Sequence, residues 1–317
     1  MKILVTGGAG FIGSHLTDYL LSKGYQVRIV DDLSNGDLRN ISHLMGEKDF
    51  EFIKGDLRNG EVALNSVNGI EEVYHLAANP EVRIGEQSPD SLYDLNVFMT
   101  YNLLEAMRKK NVKKLCFASS STVYGDAKVI PTPENYAPLE PISIYGGAKL
   151  ASEAMISAYS HTFNMNSVSF RLANVIGKRS NHGVIHDFIE KLKKDSSKLE
   201  VLGDGTQSKS YIHVKDVIEG IVYLFNKNLE EKITYDSYNL GSEDRISVMD
   251  IAKIIVEEMG LSPKIYTTGG VDGGRGWKGD VKYMMLSIDK AKSKGWRPRM
   301  NSYDAVKLAV KEALNKQ

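Results

Sequence analysis

Tyr145 and Lys149 stand four residues apart, a spacing that puts two side chains on one face of a helix. A tyrosine ordinarily titrates near ~10 and is a poor base at neutral pH. An ammonium beside it would stabilise the phenolate and bring it toward the working range. The pair is therefore a candidate for removing a proton from a substrate hydroxyl. The spacing alone is common, because Tyr19/Lys23, Tyr124/Lys128, Tyr211/Lys215, Tyr223/Lys227 and Tyr303/Lys307 match it too. Placement singles out Tyr145. It opens a helix expected over residues 143–163, after a strand expected over 113–118 whose end, Ser119-Ser120-Ser121, presents hydroxyls able to bridge phenol and substrate.

The elements that must position such a pair begin at the N-terminus. Met1 to Thr6 is a short apolar run that stops at Gly7-Gly8-Ala9-Gly10, after which Phe11, Ile12, Leu16, Leu20 and Leu21 recur at helical spacing. The pattern predicts strand, tight turn, helix. The turn satisfies G-x-G-x-x-G through Gly8, Gly10 and Gly13, and G-x-x-G-x-x-G through Gly7, Gly10 and Gly13. Glycine suits a sharp turn that a pyrophosphate must approach closely and that packs its helix tightly on the strand. The helix N-terminus then offers free N–H groups and a positive dipole end. A second strand over 26–30 ends at Asp31, about ~20 residues on, where an acid accepts from the adenosine ribose. A dinucleotide site is the expectation.

Further strands are expected at 50–54 and 72–76, and a long helix at 91–109 with Asn96 as its polar exception, directed back toward the cofactor. Asp56 after the third strand reads either as a helix cap or as an acceptor for the adenine amino group, with Leu57 against the ring. His75 reads as a packed strand histidine. Ser247 and Asp250 form a capping-box signature, and 269–279 is glycine-rich around Arg275 and Trp277. These elements predict an α/β protein: a doubly wound parallel (Rossmann) sheet with a second, smaller α/β substrate domain. The boundaries expected are 1–171 for the dinucleotide-binding domain, with 212–226 returning to it, and 172–317 for the substrate domain.

Lys+Arg and Asp+Glu both total 40, so no basic excess points to nucleic acid or an anionic membrane. The one cysteine, Cys116, lies in an apolar run, which argues against disulfides and a cysteine-based metal site. No apolar run approaches the ~20 residues of a membrane span. The first apolar stretch ends at Gly7, unlike a signal peptide, so a cytoplasmic location is expected.

Thr6-Gly-Gly-Ala-Gly-Phe-Ile-Gly13, Asp31, Asp56-Leu57, His75-Leu-Ala-Ala78, Ser119-Ser-Ser-Thr-Val-Tyr-Gly125, Tyr145-Gly-Gly-Ala-Lys149 and Arg171-Leu-Ala-Asn174 follow in that order. With segments 203–214 and 274–280, the chain resembles over nearly all its length the extended short-chain dehydrogenase/reductase family, specifically its nucleotide-sugar epimerases. The resemblance implies NAD as cofactor, preferred over NADP because Asp31 repels a 2′-phosphate. Gly7, Gly10, Phe11, Ile12 and Gly13 would hold the pyrophosphate, Asp31 the adenosine ribose, and Asp32, Asn35 and Gly36 the same end. Asp56 and Leu57 would contact adenine, and Leu76, Ala77 and Ala78 would line the middle of the cofactor. It implies Ser120 as the catalytic hydroxyl, with Thr122 as runner-up, Tyr145 as base, and Lys149 on the nicotinamide ribose. Asn174, Lys209 and Arg275 would bind the nucleotide sugar, Lys209 standing where many relatives carry an arginine.

The implied reaction is inversion of C4 of a UDP-sugar, UDP-glucose and UDP-galactose first, through a transient 4-keto sugar. UDP-N-acetylhexosamines and UDP-uronates are alternatives, and Met284 stands at the position that in relatives gates the 2-substituent. A dehydratase is disfavoured because Ser121 and Thr122 replace the Asp-Glu pair expected before Val-Tyr-Gly. A non-catalytic NAD-binding regulator would not need the Ser120/Tyr145/Lys149 set. The helices at 91–109 and 143–163 are expected to pair across a two-fold axis in a homodimer.

Overall fold

The computed structural model describes residues 1–315. Its sheet is built from β1 (Lys2–Thr6), β2 (Gln26–Asp31), β3 (Phe50–Lys54), β4 (Glu72–His75), β5 (Lys114–Ser120) and β6 (Asn166–Leu172), with a seventh strand, Tyr235–Leu240, outside β6. All seven are parallel. The spatial order is β3-β2-β1-β4-β5-β6 and then the seventh strand, so the winding reverses beside β1. The crevice at the C-terminal ends of β1 and β4 is where such sheets take their ligands.

The sheet is covered on both faces, which is why its strands read as continuous apolar runs. Ile3, Leu4 and Val5 are each 1% exposed or less. One face packs Leu4, Val73, Leu115 and Phe117 against Leu103, Leu104 and Met107 of the helix Met99–Lys109 and Ile156 of the helix Ile144–Phe163. The helix expected from residue 91 differs from that expectation. It opens at Pro89, a residue pre-set for the first helical turn, and passes through a π-helical stretch, Tyr93–Phe98, before becoming α-helical at Met99. The Asn96 carbonyl in that stretch accepts from the hydroxyls of Thr100 and Ser152. π-Turns of this kind often mark functional positions.

The chain divides into two compact units. The first holds 1–123, 144–171 and 218–238; the second holds, among the described residues, 124–143, 172–217 and 239–315. Within the second, Ile185, Phe188, Ile189 and Leu192 recur at helical spacing along Val184–Lys194. They meet Leu199, Ile251, Ile255, Val306 and Val310 in a separate core. Ser247 caps the helix Val248–Met259 by accepting from the Asp250 N–H. No helix among the described residues is long and apolar enough to cross a membrane.

Candidate functional site

The turn after β1 can be built only from glycine where the chain crosses itself. Gly7 has φ +68°, and a Cβ there would lie 2.8 Å from the Ala77 backbone. A Cβ at Gly13 would lie 2.1 Å from the Gly7 carbonyl oxygen. Gly10 gives the helix Phe11–Ser22 no side-chain cap, which leaves the first-turn N–H groups of Phe11, Ile12 and Gly13 directed out of the helix end. Asp31, at the tip of β2 and 8% exposed, accepts from the N–H of Ala9 at 2.9 Å and of Leu33 at 2.8 Å. Burial pushes its carboxyl up despite those two bonds. Gly36 packs against the same carboxylate, a Cβ there coming within 2.7 Å of Oδ1. Asp32 holds a local turn through Ser34, with Asn35 in the loop that follows.

Asp56 is not the cap of the next helix. Asn59 performs that role, accepting from the Glu61 N–H, while Asp56 accepts from the Arg58 N–H and guanidinium, whose side chain holds the carboxyl below its usual range. Leu57 turns its side chain into the hydrophobic core, so it presents only backbone outward.

Beyond β4, the Thr6 hydroxyl accepts from the N–H of Leu76 at 3.2 Å and of Ala77 at 3.1 Å. This ties both residues, with Ala78 next in chain, to the end of β1. His75 is packed as expected: fully buried, between Thr6 at 2.7 Å and Thr100 at 3.0 Å. Burial, then the Lys149 charge, pulls its pKa down to about 3. An unfolded-state histidine takes up its proton near ~6.5, so between those two values the unfolded chain binds more protons and stability falls as pH falls. At pH 5 this contributes a loss of about 2 kcal/mol relative to pH 8. Urea unfolding at the two pH values should show a smaller difference in His75→Gln; equal differences would place the proton uptake elsewhere. Asn96 is 2% exposed and its Oδ1 is without a partner among the described residues, a state that costs about 1–3 kcal/mol unless a donor arrives.

The candidate catalytic set lies at the end of β5. That strand runs two residues beyond the expected 118, which places Ser119 and Ser120 on it. Ser120 hydrogen-bonds the Tyr145 phenol and accepts from the Thr122 hydroxyl at 3.0 Å and N–H at 3.2 Å. Ser120 is thus the hydroxyl in contact with Tyr145, and Thr122 sits one bond behind it. Lys149, 3% exposed, donates to the Ala118 carbonyl at 3.0 Å, with its Nζ 5.8 Å from the centre of the Tyr145 ring and 4.8 Å from that of Phe117. Burial pushes the Tyr145 phenol up to about 12, opposed by the Ser120 hydrogen bond. It pushes Lys149 down to about 7, opposed by the charge of Glu153. Lys149 is therefore poised where added charge changes its protonation, and Tyr145 needs added positive charge to serve as a base at neutral pH.

In the second unit, Lys209 and Arg275 converge on Asp280. The Lys209 ammonium is 2.6 Å from the Asp280 carboxylate and 5.6 Å from the centre of the Trp277 ring. Arg275 donates to the Asp280 carbonyl and, through both terminal nitrogens, to the Asp126 carboxylate at 2.7 and 3.1 Å. Asn174 lies apart from them in sequence pairing, on the strand Asn174–Ile176 beside Tyr211–His213, and donates to the Ser210 carbonyl at 3.1 Å. Sequence reasoning overlooked Asp126, the Asp280 carboxylate and Glu153. Only Glu153 left a signal, by continuing the four-residue spacing of Tyr145 and Lys149.

A phenol held by a serine hydroxyl beside a buried lysine, on a sheet that binds dinucleotides at its switch point, is the chemistry of short-chain dehydrogenases and reductases. The sequence model of the NAD dependent epimerase/dehydratase family matches residues 3–241. A solved UDP-galactose 4-epimerase is 42% identical, with a TM-score of 0.90 over 100% of this chain and 99% of that one. A putative UDP-glucose 4-epimerase of Methanocaldococcus jannaschii is 35% identical over 97% of each chain. A UDP-glucuronic acid 4-epimerase of Bacillus cereus, solved with NAD and a fluorinated UDP-glucuronic acid, is 30% identical, with a TM-score of 0.88 over the full length of both chains. The chain belongs to the NAD-dependent epimerase/dehydratase family of enzymes, which act on nucleotide sugars with NAD as cofactor. The glycine turn, the uncapped helix end and the unpartnered Asn96 oxygen fit that cofactor.

Proposed function

We propose that the protein is a UDP-sugar 4-epimerase interconverting UDP-glucose and UDP-galactose. The observation that carries this reading is the Ser120–Tyr145 hydrogen bond with Lys149 one helical turn away, supported by likeness to 4-epimerases across the whole chain. Gly7, Gly10, Phe11, Ile12 and Gly13 would hold NAD at its pyrophosphate, and the cofactor would supply a reversible acceptor for the C4 hydride, leaving C4 of the sugar a ketone. Tyr145 takes the proton from the 4-hydroxyl, with Ser120 in the hydrogen-bond path, and returns it after the ketone has presented its other face. Lys149 stabilises the phenolate and holds the nicotinamide ribose. Asp31 receives the adenosine ribose with Asp32, Asn35 and Gly36 around it; Asp56 and the Leu57 backbone receive adenine; Leu76, Ala77 and Ala78 line the middle.

Asn174, Lys209 and Arg275 bind the sugar nucleotide. The Arg275 fork grips the Asp126 carboxylate in the bidentate geometry that also fits phosphate, so Asp126 stands in for phosphate oxygens. Lys209, engaged by a buried Asp280, offers a point charge and not a fork.

The test is to incubate the protein, with and without added NAD, with UDP-galactose, UDP-N-acetylgalactosamine and UDP-glucuronic acid, and to resolve the products by chromatography. Conversion of UDP-galactose to UDP-glucose as the fastest reaction supports the reading. The uronate is the second reading, favoured by the likeness to a UDP-glucuronic acid 4-epimerase, and its faster turnover would replace the first. Met284, 8% exposed, gates the 2-substituent, and turnover of the N-acetyl sugar measures how far.

Asp31→Asn should shift the ratio of NAD to NADP affinity toward NADP by about tenfold, the effect of removing one like-charge repulsion of roughly 1.4 kcal/mol. Paired calorimetric titrations check it, and an unchanged ratio refutes the ribose role. The protein is also proposed to be a homodimer through the helix face of Tyr93, Phe98 and Tyr101, which are 38–54% exposed; light scattering giving the mass of one chain would refute it.

A further inference from the structure

Glu153 lies one helical turn beyond Lys149 on the buried face of Ile144–Phe163 and is 3% exposed. Its carboxylate is saturated. Oε2 accepts from Arg171 Nη2 at 2.7 Å and Nε at 3.2 Å; Oε1 accepts from the same Nε at 3.1 Å and from the Ser119 hydroxyl. Ser119 stands between Ala118, whose carbonyl accepts from the Lys149 ammonium, and Ser120, which holds the Tyr145 phenol. One carboxylate therefore ties together β5 at the candidate site, the helix bearing Tyr145 and Lys149, and β6 through Arg171. Stability does not require this device, since well-packed apolar replacements of a buried ion pair are often neutral or better.

We propose that Glu153 is a positioning residue for the epimerisation, a buried carboxylate that holds the Ser119–Ser120 strand end, and with it the Ala118 carbonyl bonded to the Lys149 ammonium, in register with Tyr145. This rests on reading Ser120, Tyr145 and Lys149 as the catalytic set. The groups facing Lys149 are Tyr145 and Glu153 on its own helix, Phe117 on β5 and neutral His75 on β4. Arg171 on β6 faces Glu153, as does the phenol of Tyr235 from the seventh strand. Burial has already drawn Lys149 down to about 7, and Glu153 opposes that pull. Removing the carboxylate's charge lowers the value further, so the ammonium is lost at lower pH as pH rises.

The experiment follows Lys149 directly, by 13C NMR of protein labelled at the lysine Cε, its resonance assigned as the one missing in Lys149→Met. The same proteins give the pH profile of kcat/KM for UDP-galactose. Glu153→Gln is expected to move the Lys149 midpoint, and with it the alkaline limb of the profile, down by about one pH unit, and Glu153→Asp to restore both. Glu153→Gln/Arg171→Met, which leaves no orphaned guanidinium, guards against failure of the single variant to fold and should show a downward shift as well. An unmoved Lys149 midpoint in both Gln variants overturns the proposal, even if turnover has fallen. A wild-type protein that epimerises no UDP-sugar overturns the catalytic reading, while the titration, which needs no turnover, still decides whether Glu153 governs Lys149.

Discussion

Tyr145→Phe is expected to lower kcat for the epimerisation of UDP-galactose by two to four orders of magnitude, the usual worth of a positioned general acid–base group. The ring remains, and so does its place beside Lys149. What is lost is the oxygen that Ser120 holds, and with it, on the mechanism proposed above, the path for the 4-hydroxyl proton. Because the phenol's own value is pushed up to about 12 by burial, the chain by itself keeps it protonated at neutral pH. On the proposed mechanism its basicity comes from positive charge added beside it when the cofactor is bound. Loss of one neutral hydrogen bond changes stability by about 1 kcal/mol, so the variant should unfold near the wild-type temperature and bind NAD with nearly unchanged affinity. Steady-state kinetics with calorimetric NAD titration separate the outcomes. A raised KM with kcat intact would mean that Tyr145 only binds substrate, and near wild-type turnover would remove it from the mechanism.

The largest effect on stability is expected at Arg171. Its guanidinium is 6% exposed and bound to a carboxylate that is 3% exposed. Arg171→Leu leaves the Glu153 charge buried beside the Ser119 hydroxyl alone, and breaking a buried pair from one side costs about 3–5 kcal/mol. For a chain of this length that lowers the unfolding temperature by roughly 5–8 °C. Glu153→Leu/Arg171→Leu removes both charges of the pair and should recover part of that loss, because the Glu153 carboxylate is no longer buried without its guanidinium. Calorimetric melts of the two variants decide it. If the single variant melts within a degree or two of wild type, the pair is not the buried interaction described here. The recovered double variant should still be impaired in turnover, since it keeps the fold but not the carboxylate proposed to position Lys149 and the Ser119–Ser120 strand end.

What the sequence by itself determined is what short-range physics controls. Apolar runs of strand length, helical recurrence of Leu16 and Leu20, the glycine turn after Thr6, the cap at Ser247 and the four-residue step from Tyr145 to Lys149 all follow from backbone geometry within a few residues. The parallel, doubly wound sheet follows from the alternation of such elements. Tertiary structure decided whatever depends on partners distant in the chain. The reach of β5 to Ser120 and the π-helical stretch around Asn96 come from neighbours that propensity does not see. The strand Tyr235–Leu240 lacks a clear apolar alternation and exists because β6 offers it an edge. Asp56 and Asn59 both carry cap chemistry, and only the turn geometry assigned the cap to Asn59. Arg275 with Asp126, Lys209 with Asp280, and Glu153 with Arg171 join residues 18 to 149 positions apart. A charge in a sequence carries no record of its counter-charge, because burial, which makes the pairing necessary, is a property of the folded chain.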